Sequence, residues 1–322
     1  MTSSGRNTSE TDPPGCTPAA PSPTQSSAPN PALGQLLALA SATAFGAITP
    51  LAALSYAYGA TPITLIVLRF GLGTAVFVLV CLLRRAPLLL PREARATGFL
   101  TGLFWFLASV GYLGSVNFIP VSLAALIFFT FPILTALGEA ALERRRPRAG
   151  ELALLLLAFA GLALAIGPSF RSLSPIGLAL IALGATGAAG LFLSMRGIVV
   201  RHEPVTVLVT LNLSASLLSL LTLLLLGGWS LPTAAAAPAD AGAWIGWTAL
   251  SLGVLAYFVA IFLQSGSVRH AGASRAALFF NLEPVVSILA AALLLGERLS
   301  LQQGAGALLV LAALILAGRR RR

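Results

Sequence analysis

Beyond a polar opening rich in Ser, Thr, Pro and Ala (residues 1–31), the chain turns apolar and stays so almost to its end. Ten apolar stretches follow, at roughly 33–54, 62–83, 98–117, 121–141, 151–168, 175–196, 204–226, 242–265, 273–295 and 302–318. A helix needs about 20 residues to cross a hydrocarbon core of about 30 Å, and most of these stretches come close to that length. They are too long, and too continuously apolar, for barrel strands. In lipid, an unsatisfied backbone group costs several kcal/mol, so each stretch is predicted to be a helix that closes its own hydrogen bonds. The fold class that follows is an all-α membrane protein of ten transmembrane helices joined by short loops. Residues 1–31 cannot bury enough apolar surface to fold and are expected to form a disordered tail. They lack the basic-then-apolar order of a signal peptide.

Composition agrees with the pattern. Hydrophobic residues make up 57% of the 322 and charged residues 9%, against about 25% charged in an ordinary soluble domain. A soluble fold of this size could not hide so much apolar surface. The charge adds orientation. All 20 basic residues are Arg. If the N-terminus lies in the cytoplasm, the inner loops hold Arg84, Arg85, Arg92, Arg95, Arg144, Arg145, Arg146, Arg148, Arg201 and Arg269, and the basic end 319–322 is also inside. The outer loops hold only Arg171 and Arg298. This bias predicts both termini in the cytoplasm of a plasma (inner) membrane protein. Because the Arg residues sit between apolar spans, no nucleic-acid partner is expected. Cys16 and Cys81 lie in the tail and in a span, which argues against a structural disulfide.

The two halves of the apolar region repeat each other. Ser122-Leu-Ala-Ala-Leu-Ile-Phe-Phe-Thr-Phe-Pro132 in the fourth span matches Ser274-Arg-Ala-Ala-Leu-Phe-Phe-Asn-Leu-Glu-Pro284 in the ninth, 152 residues later. The same offset carries Gly114 onto Gly266, Trp105 onto Tyr257 and Tyr112 onto Gln264. After a two-residue slip, Glu143-Arg144 with Gly150 matches Glu297-Arg298 with Gly304, and Pro62-Ile-Thr64 matches Pro204-Val-Thr206. Each half, 32–168 and 175–318, then has five helices. Five is odd, so the halves enter the membrane from opposite sides. Inverted repeats of this kind are the architecture of many secondary transporters.

At this point the sequence resembles the drug/metabolite transporter superfamily, in particular its EamA-type ten-helix members. The residues that carry the likeness are Leu282-Glu-Pro284, Leu295-Gly-Glu-Arg298, Gly304 opening the last span, Arg69 within Leu68-Arg-Phe70, and Pro120 and Pro132. It spans roughly residues 33–318. The resemblance implies two inverted five-helix repeats, a central cavity, and export or exchange of small metabolites, often amino acids. Two departures narrow it. The first span has no acidic residue, so the proton-coupling glutamate of the small multidrug resistance branch is missing. No Lys-Arg pair opens the ninth span, as a plastid-type sugar-phosphate exchanger would have.

Candidate chemistry lies in the spans. A mid-helix Pro removes one backbone hydrogen bond and clashes with the carbonyl four residues earlier. For Pro132 and Pro284 those carbonyls belong to Phe128 and Phe280. Matched interruptions in two halves point to a midplane site, or else to kinks that only shape packing. Glu283 stands near the middle of its span, where an ionised carboxylate costs roughly 2.5–3.5 kcal/mol on insertion scales. It should face a cavity, be paired or be protonated. Asn281, Trp105, Tyr112, Tyr257, Gln264 and Phe280 are candidate liners of a mostly apolar substrate site with a few placed polar groups. Aromatic packing is the competing reading for each ring. Arg69 is read as a structural charge, paired with an acid or with helix-end carbonyls, or snorkelling outward. Arg275 and Arg196 lie near the inner surface and serve either as interface anchors or as contacts for an anionic substrate group. Glu143-Arg144 and Glu297-Arg298 read as packing and topology signals. Gly98 with Gly102, and Gly184 with Gly187 and Gly190, suit close helix approach.

Other classes fit poorly. His202 and His270 are single loop residues with no zinc-ligand spacing. No Gly-x-Ser-x-Gly elbow and no phosphate-binding loop occurs, and the aspartates are Asp12 and Asp240 alone. No enzyme activity, metal or cofactor is expected. A channel or a non-transporting scaffold is the alternative to a carrier. The expected partners are a small-molecule substrate and the lipid bilayer. The oligomeric state stays open, a homodimer included.

Overall fold

The computed structural model describes residues 30–115, 118–167, 173–236, 242–295 and 300–319. Expectations for the tail, Cys16, Asp12, Arg171, Asp240, Glu297-Arg298 and Arg320–Arg322 fall outside these residues. Twelve helices appear among them: α1 (Pro31–Ala57), α2 (Pro62–Arg84), α3 (Arg92–Ser115), α4 (Val121–Phe128), α5 (Phe131–Leu142), α6 (Ala149–Ile166), α7 (Pro175–Val199), α8 (Pro204–Leu226), α9 (Trp244–Ala271), α10 (Ala273–Phe279), α11 (Leu282–Leu295) and α12 (Leu301–Arg319). They make ten segments long and apolar enough to cross a membrane, because α4 with α5 and α10 with α11 each form one span.

The predicted spans and the helices differ mainly at their ends. The third span (α3) starts at Arg92, not 98, and the eighth (α9) runs on to Ala271, past 265. Hydropathy marks the part of a helix that lipid covers, whereas backbone hydrogen bonding continues into the polar interface. Several starts have a local cause. Pro is the first residue of α1, α2, α7 and α8, where its missing N–H is not needed. Asn30 accepts hydrogen bonds from the Ala32 and Leu33 N–H groups, and Ser174 from Gly177, which satisfies orphan donors.

The packing carries the repeat. The first span lies against the eighth (α1 on α9) and the third against the sixth (α3 on α7). The second packs on the seventh (α2 on α8), and the fifth on the tenth (α6 on α12). Exchanging each span of the first half for its counterpart in the second leaves this set of pairs unchanged. The halves are thus joined across an internal two-fold relation.

The two ends of the bundle are chemically distinct. At one end the start of α1 meets the end of α9, where the Asn30 N–H donates to His270 Nδ1. The end of α12 joins them, since a side chain on Gly318 would stand 3.7 Å from Gln35 Oε1. The first and last spans therefore begin and end on the same side. Arg84, Arg144 and Arg196 lie at helix ends there. At the opposite end, Thr61 donates to the Gly228 carbonyl at 2.6 Å and Thr233 N–H to the Tyr58 carbonyl. The exposed Trp229, Trp244 and Trp247 cluster near it, as amphipathic rings do at a lipid–water boundary.

Close approach between the halves rests on glycine. A Cβ on Gly111 of α3 would lie 2.5 Å from the Gly184 nitrogen of α7 and 2.6 Å from the Leu180 carbonyl oxygen. Backbone cannot yield as a flexible side chain can. Gly111→Ala should therefore cost about 1–3 kcal/mol, read as a lower melting temperature of the purified protein. Gly197→Ala, on the same α7 helix but with open space around it, should be neutral or up to about 1 kcal/mol stabilising. Equal melting of the two variants would contradict the packing described.

Candidate functional site

The site begins with the two interrupted spans. α4 ends at Phe128 and α5 starts at Phe131; α10 ends at Phe279 and α11 starts at Leu282. Pro132 and Pro284 do not kink continuous helices, as mid-helix prolines would. Each falls in the first turn of the second segment, where no N–H is missed. The carbonyls freed by each break are met locally. The Thr130 hydroxyl donates to the Ile127 carbonyl at 2.7 Å, and the Asn281 amide to the Leu278 carbonyl at 2.8 Å. Asn281 is buried, and its amide N–H serves the helix end.

The second break presents Glu283 in the first turn of α11, where the exposed N–H groups of a helix favour a carboxylate. α1 comes close here: a Cβ on Gly46 would stand 2.6 Å from the Glu283 carbonyl oxygen. The Glu283 side chain is half-buried. Among the described residues its carboxylate forms no ion pair within 4.0 Å, and Arg69 attracts it through space.

Arg69 is central rather than snorkelled outward. It donates to the Ser109 hydroxyl of α3. Its guanidinium carbon lies 4.9 Å from the Phe70 ring centroid, 5.6 Å from Tyr257 and 5.7 Å from Trp105. Aromatic faces attract a cation at such distances. Among the described residues the buried Arg69 Nε–H has no hydrogen-bond partner.

A hydrogen-bonded chain fixes those rings. The Trp105 indole N–H donates to the Tyr257 hydroxyl at 3.1 Å, and that hydroxyl donates to Asn212 Oδ1 at 2.6 Å. Asn212 in turn donates to the Leu208 carbonyl of its own helix. Trp105 and Tyr257 stack at 6.4 Å with planes 12° apart. Phe45 of α1 closes the cluster, 5.8 Å from Trp105 and 5.9 Å from Phe280. The repeat pair Trp105 and Tyr257 therefore meets at the interface between the halves.

The remaining sequence candidates share none of these ring contacts or hydrogen bonds, although Tyr112 is close enough to Glu283 to feel its charge. Tyr112, two turns beyond Trp105 on α3, packs against Phe128 at 5.0 Å. Gln264, seven residues beyond Tyr257 on α9, is buried and its Oε1 has no hydrogen-bond partner. A separate apolar groove of about 340 Å³ opens between α2, α8 and α9 beside Phe77, Phe258 and Phe262, and holds none of the candidate residues.

At the arginine-rich end a second polar cluster forms. Arg196 of α7 pairs with Glu139 at 3.3 Å and with Glu143, so neither Arg196 nor Glu143 stands as an isolated interface anchor. Glu139 also accepts the Ser274 N–H at 3.2 Å, and the Ser274 hydroxyl bonds Glu151. Arg145, and after it Arg196, hold the Glu143 carboxyl below the ordinary carboxylate range. Sequence reading passed over Glu139, Glu151, Asn212, Phe45 and Ser109. A signal existed for Glu139 and Asn212, which are a charge and an amide inside apolar spans. None existed for Phe45, which is one aromatic among many.

Comparison with known proteins fits this geometry. No curated protein matches the chain. A crystal structure titled only "Crystal structure of protein" superposes with a TM-score of 0.73 at 21% identity, over 89% of this chain and 99% of that one. At that identity it bears on the fold alone. The family model described as EamA-like transporter family matches twice, at residues 32–167 and 175–319, one match for each five-helix half. The chain belongs to the EamA-like transporter family, a family of multi-pass membrane transporters of small molecules.

Proposed function

We propose that the chain is a secondary transporter that exports or exchanges small organic metabolites, amino acids or related compounds, across the plasma membrane by alternating access. One observation carries this reading. Arg69, seated over an aromatic cluster, and the half-buried Glu283 are opposite charges from opposite halves of the repeat that attract through space without pairing directly. A zwitterion satisfies both: its carboxylate suits the guanidinium and its ammonium suits Glu283. Phe45, Trp105 and Phe280 offer apolar surface to the rest of the molecule. Because these groups come from both halves, a relative rocking of the halves would expose the site to either side in turn. Glu283 is also the group best placed to carry a coupling proton.

The experiment is saturable counterflow of labelled amino acids in proteoliposomes. Glu283→Gln should lower transport at least tenfold and change its pH dependence. Arg69→Gln should raise the substrate concentration for half-saturation about tenfold, as expected for loss of roughly 1.4 kcal/mol of binding. Flux that never saturates would favour the channel alternative, and no flux for any amino acid would exclude that substrate class. Transport and pH response unchanged in Glu283→Gln would remove the carboxylate from the mechanism.

The arginine-rich end is assigned to the cytoplasm on the positive-inside bias. Reporter fusions at the N- and C-termini should both signal from the cytoplasm, and opposite locations would overturn the assignment.

A further inference from the structure

The polar cluster at the arginine-rich end joins the two repeats where they must part if that end is to open. Glu139 (α5) and Glu151 (α6) belong to the first repeat; Arg196 (α7) and Ser274 (α10) belong to the second. The Glu139 side chain is 10% exposed and that of Arg196 35%. The contacts are partly desolvated, and Glu139 is held on both carboxylate oxygens, one by the Arg196 ion pair and the other by the Ser274 N–H, unlike a loose surface pair. Gly272 makes the geometry possible: its φ of +83° turns the chain sharply between α9 and α10 and brings Ser274 to Glu139.

An inverted repeat offers a comparison inside one molecule, because each residue at this end has a counterpart at the other. Ser274 corresponds to Ser122. Glu139 lies between the pairs Pro132/Pro284 and Glu143/Glu297, so its counterpart is Ala291 or Leu293. Arg196 maps to Leu54 on the Pro62/Pro204 spacing and to Ala52 on the Pro31/Pro175 spacing. Glu151 maps to Ala305 on the Gly150/Gly304 spacing. The backbone is duplicated, but this set of charges is not. Both ends are bridged by inter-repeat hydrogen bonds, Thr61 to Gly228 and Thr233 to Tyr58 among them at the other end. Among the described residues, however, the inter-repeat ion pairs, Arg196 with Glu139 and Glu143, stand at the arginine-rich end alone, and the mapped counterparts of Glu139, Arg196 and Glu151 carry no charge.

We infer that Glu139 and Arg196, with Ser274 and Glu151, are the gate residues of the transport cycle, a one-sided latch that makes closure of the arginine-rich end the resting state. The inference rests on the alternating-access reading above. Its test needs no substrate and no assignment of which end is cytoplasmic. Cys16→Ser and Cys81→Ala give a background without cysteine. Ala277→Cys, a buried position on α10 between Ser274 and the central cluster, reports on the latched end. Tyr112→Cys, on α3 beyond Trp105, reports on the other. Each is labelled with a polar maleimide in lipid nanodiscs.

Adding Arg196→Ala should raise the labelling rate at Ala277→Cys at least tenfold and lower that at Tyr112→Cys, because opening one end closes the other. Arg145→Ala, which leaves the Arg196–Glu139 pair intact, should change either rate less than threefold. Unchanged rates in Arg196→Ala overturn the latch. So does a rise at both reporters, the mark of general loosening. If Arg196→Ala does not fold, Ser274→Ala removes only the hydroxyl bond to Glu151 and is judged by the same two rates. Failed counterflow beside reciprocal labelling would sink the substrate reading and leave the gate standing.

Discussion

Hydrocarbon offers no partner for a backbone N–H or C=O, and this constraint organises the molecule. It makes every crossing segment helical, so each interruption has to be met by other groups. Two spans are interrupted here, and both are repaired in the same way. A side chain just past the break, Thr130 in one half and Asn281 in the other, takes a carbonyl of the helix that has ended. A proline then starts the next segment without a donor to lose. The second break opens a helix start inside the bundle, and Glu283 occupies it. A carboxylate that would be costly in a continuous apolar helix sits instead where free N–H groups of the backbone favour it.

The duplication fixes the scaffold, and the chemistry comes from departures from it. Trp105 and Tyr257 are repeat counterparts whose rings lie nearly parallel and share a hydrogen bond. Glu283, however, corresponds to Phe131 on the 152-residue offset. Phe131 is buried and stacked on Phe192. The two breaks are thus chemically unequal, with an acid in one where the other has a buried phenyl ring. Arg69 adds to this asymmetry from the first half, over three aromatic faces.

The ten spans and their pairing into halves could be read from the sequence because both depend on local, repeated quantities: apolar length, proline positions and arginine bias. The matched prolines located the breaks, since the same residue recurs at the same distance from Ser122 and Ser274. Contacts that depend on helix rotation could not be read in this way. Asn281 neighbours Glu283 in sequence, and no spacing along the chain shows that its amide N–H donates back to the Leu278 carbonyl. Asn212 lies 45 residues from Tyr257 and accepts its hydroxyl, a pairing that no spacing along the chain announces. Arg196 read as an interface residue because its acids, Glu139 and Glu143, lie 53 or more residues away on another span.

α7 ties the two clusters together mechanically. Phe192 stacks on Phe131 at 5.5 Å and meets Phe280 edge-on at 5.1 Å, so one ring is wedged between the first residue of α5 and the first residue beyond α10. Arg196 stands four residues further on, one helical turn away on the same face. Helices are stiff along their axis, so a turn of α7 that withdraws Arg196 from Glu139 also moves Phe192 against Phe280 and the Phe45–Trp105 cluster behind it. The close glycine contact with α3 at Gly184 lies on the other side of the wedge and leaves little room for α7 to shift without α3. The ion pairs at one end and the aromatic cluster at the centre therefore both bear on one helix, through Arg196 and Phe192.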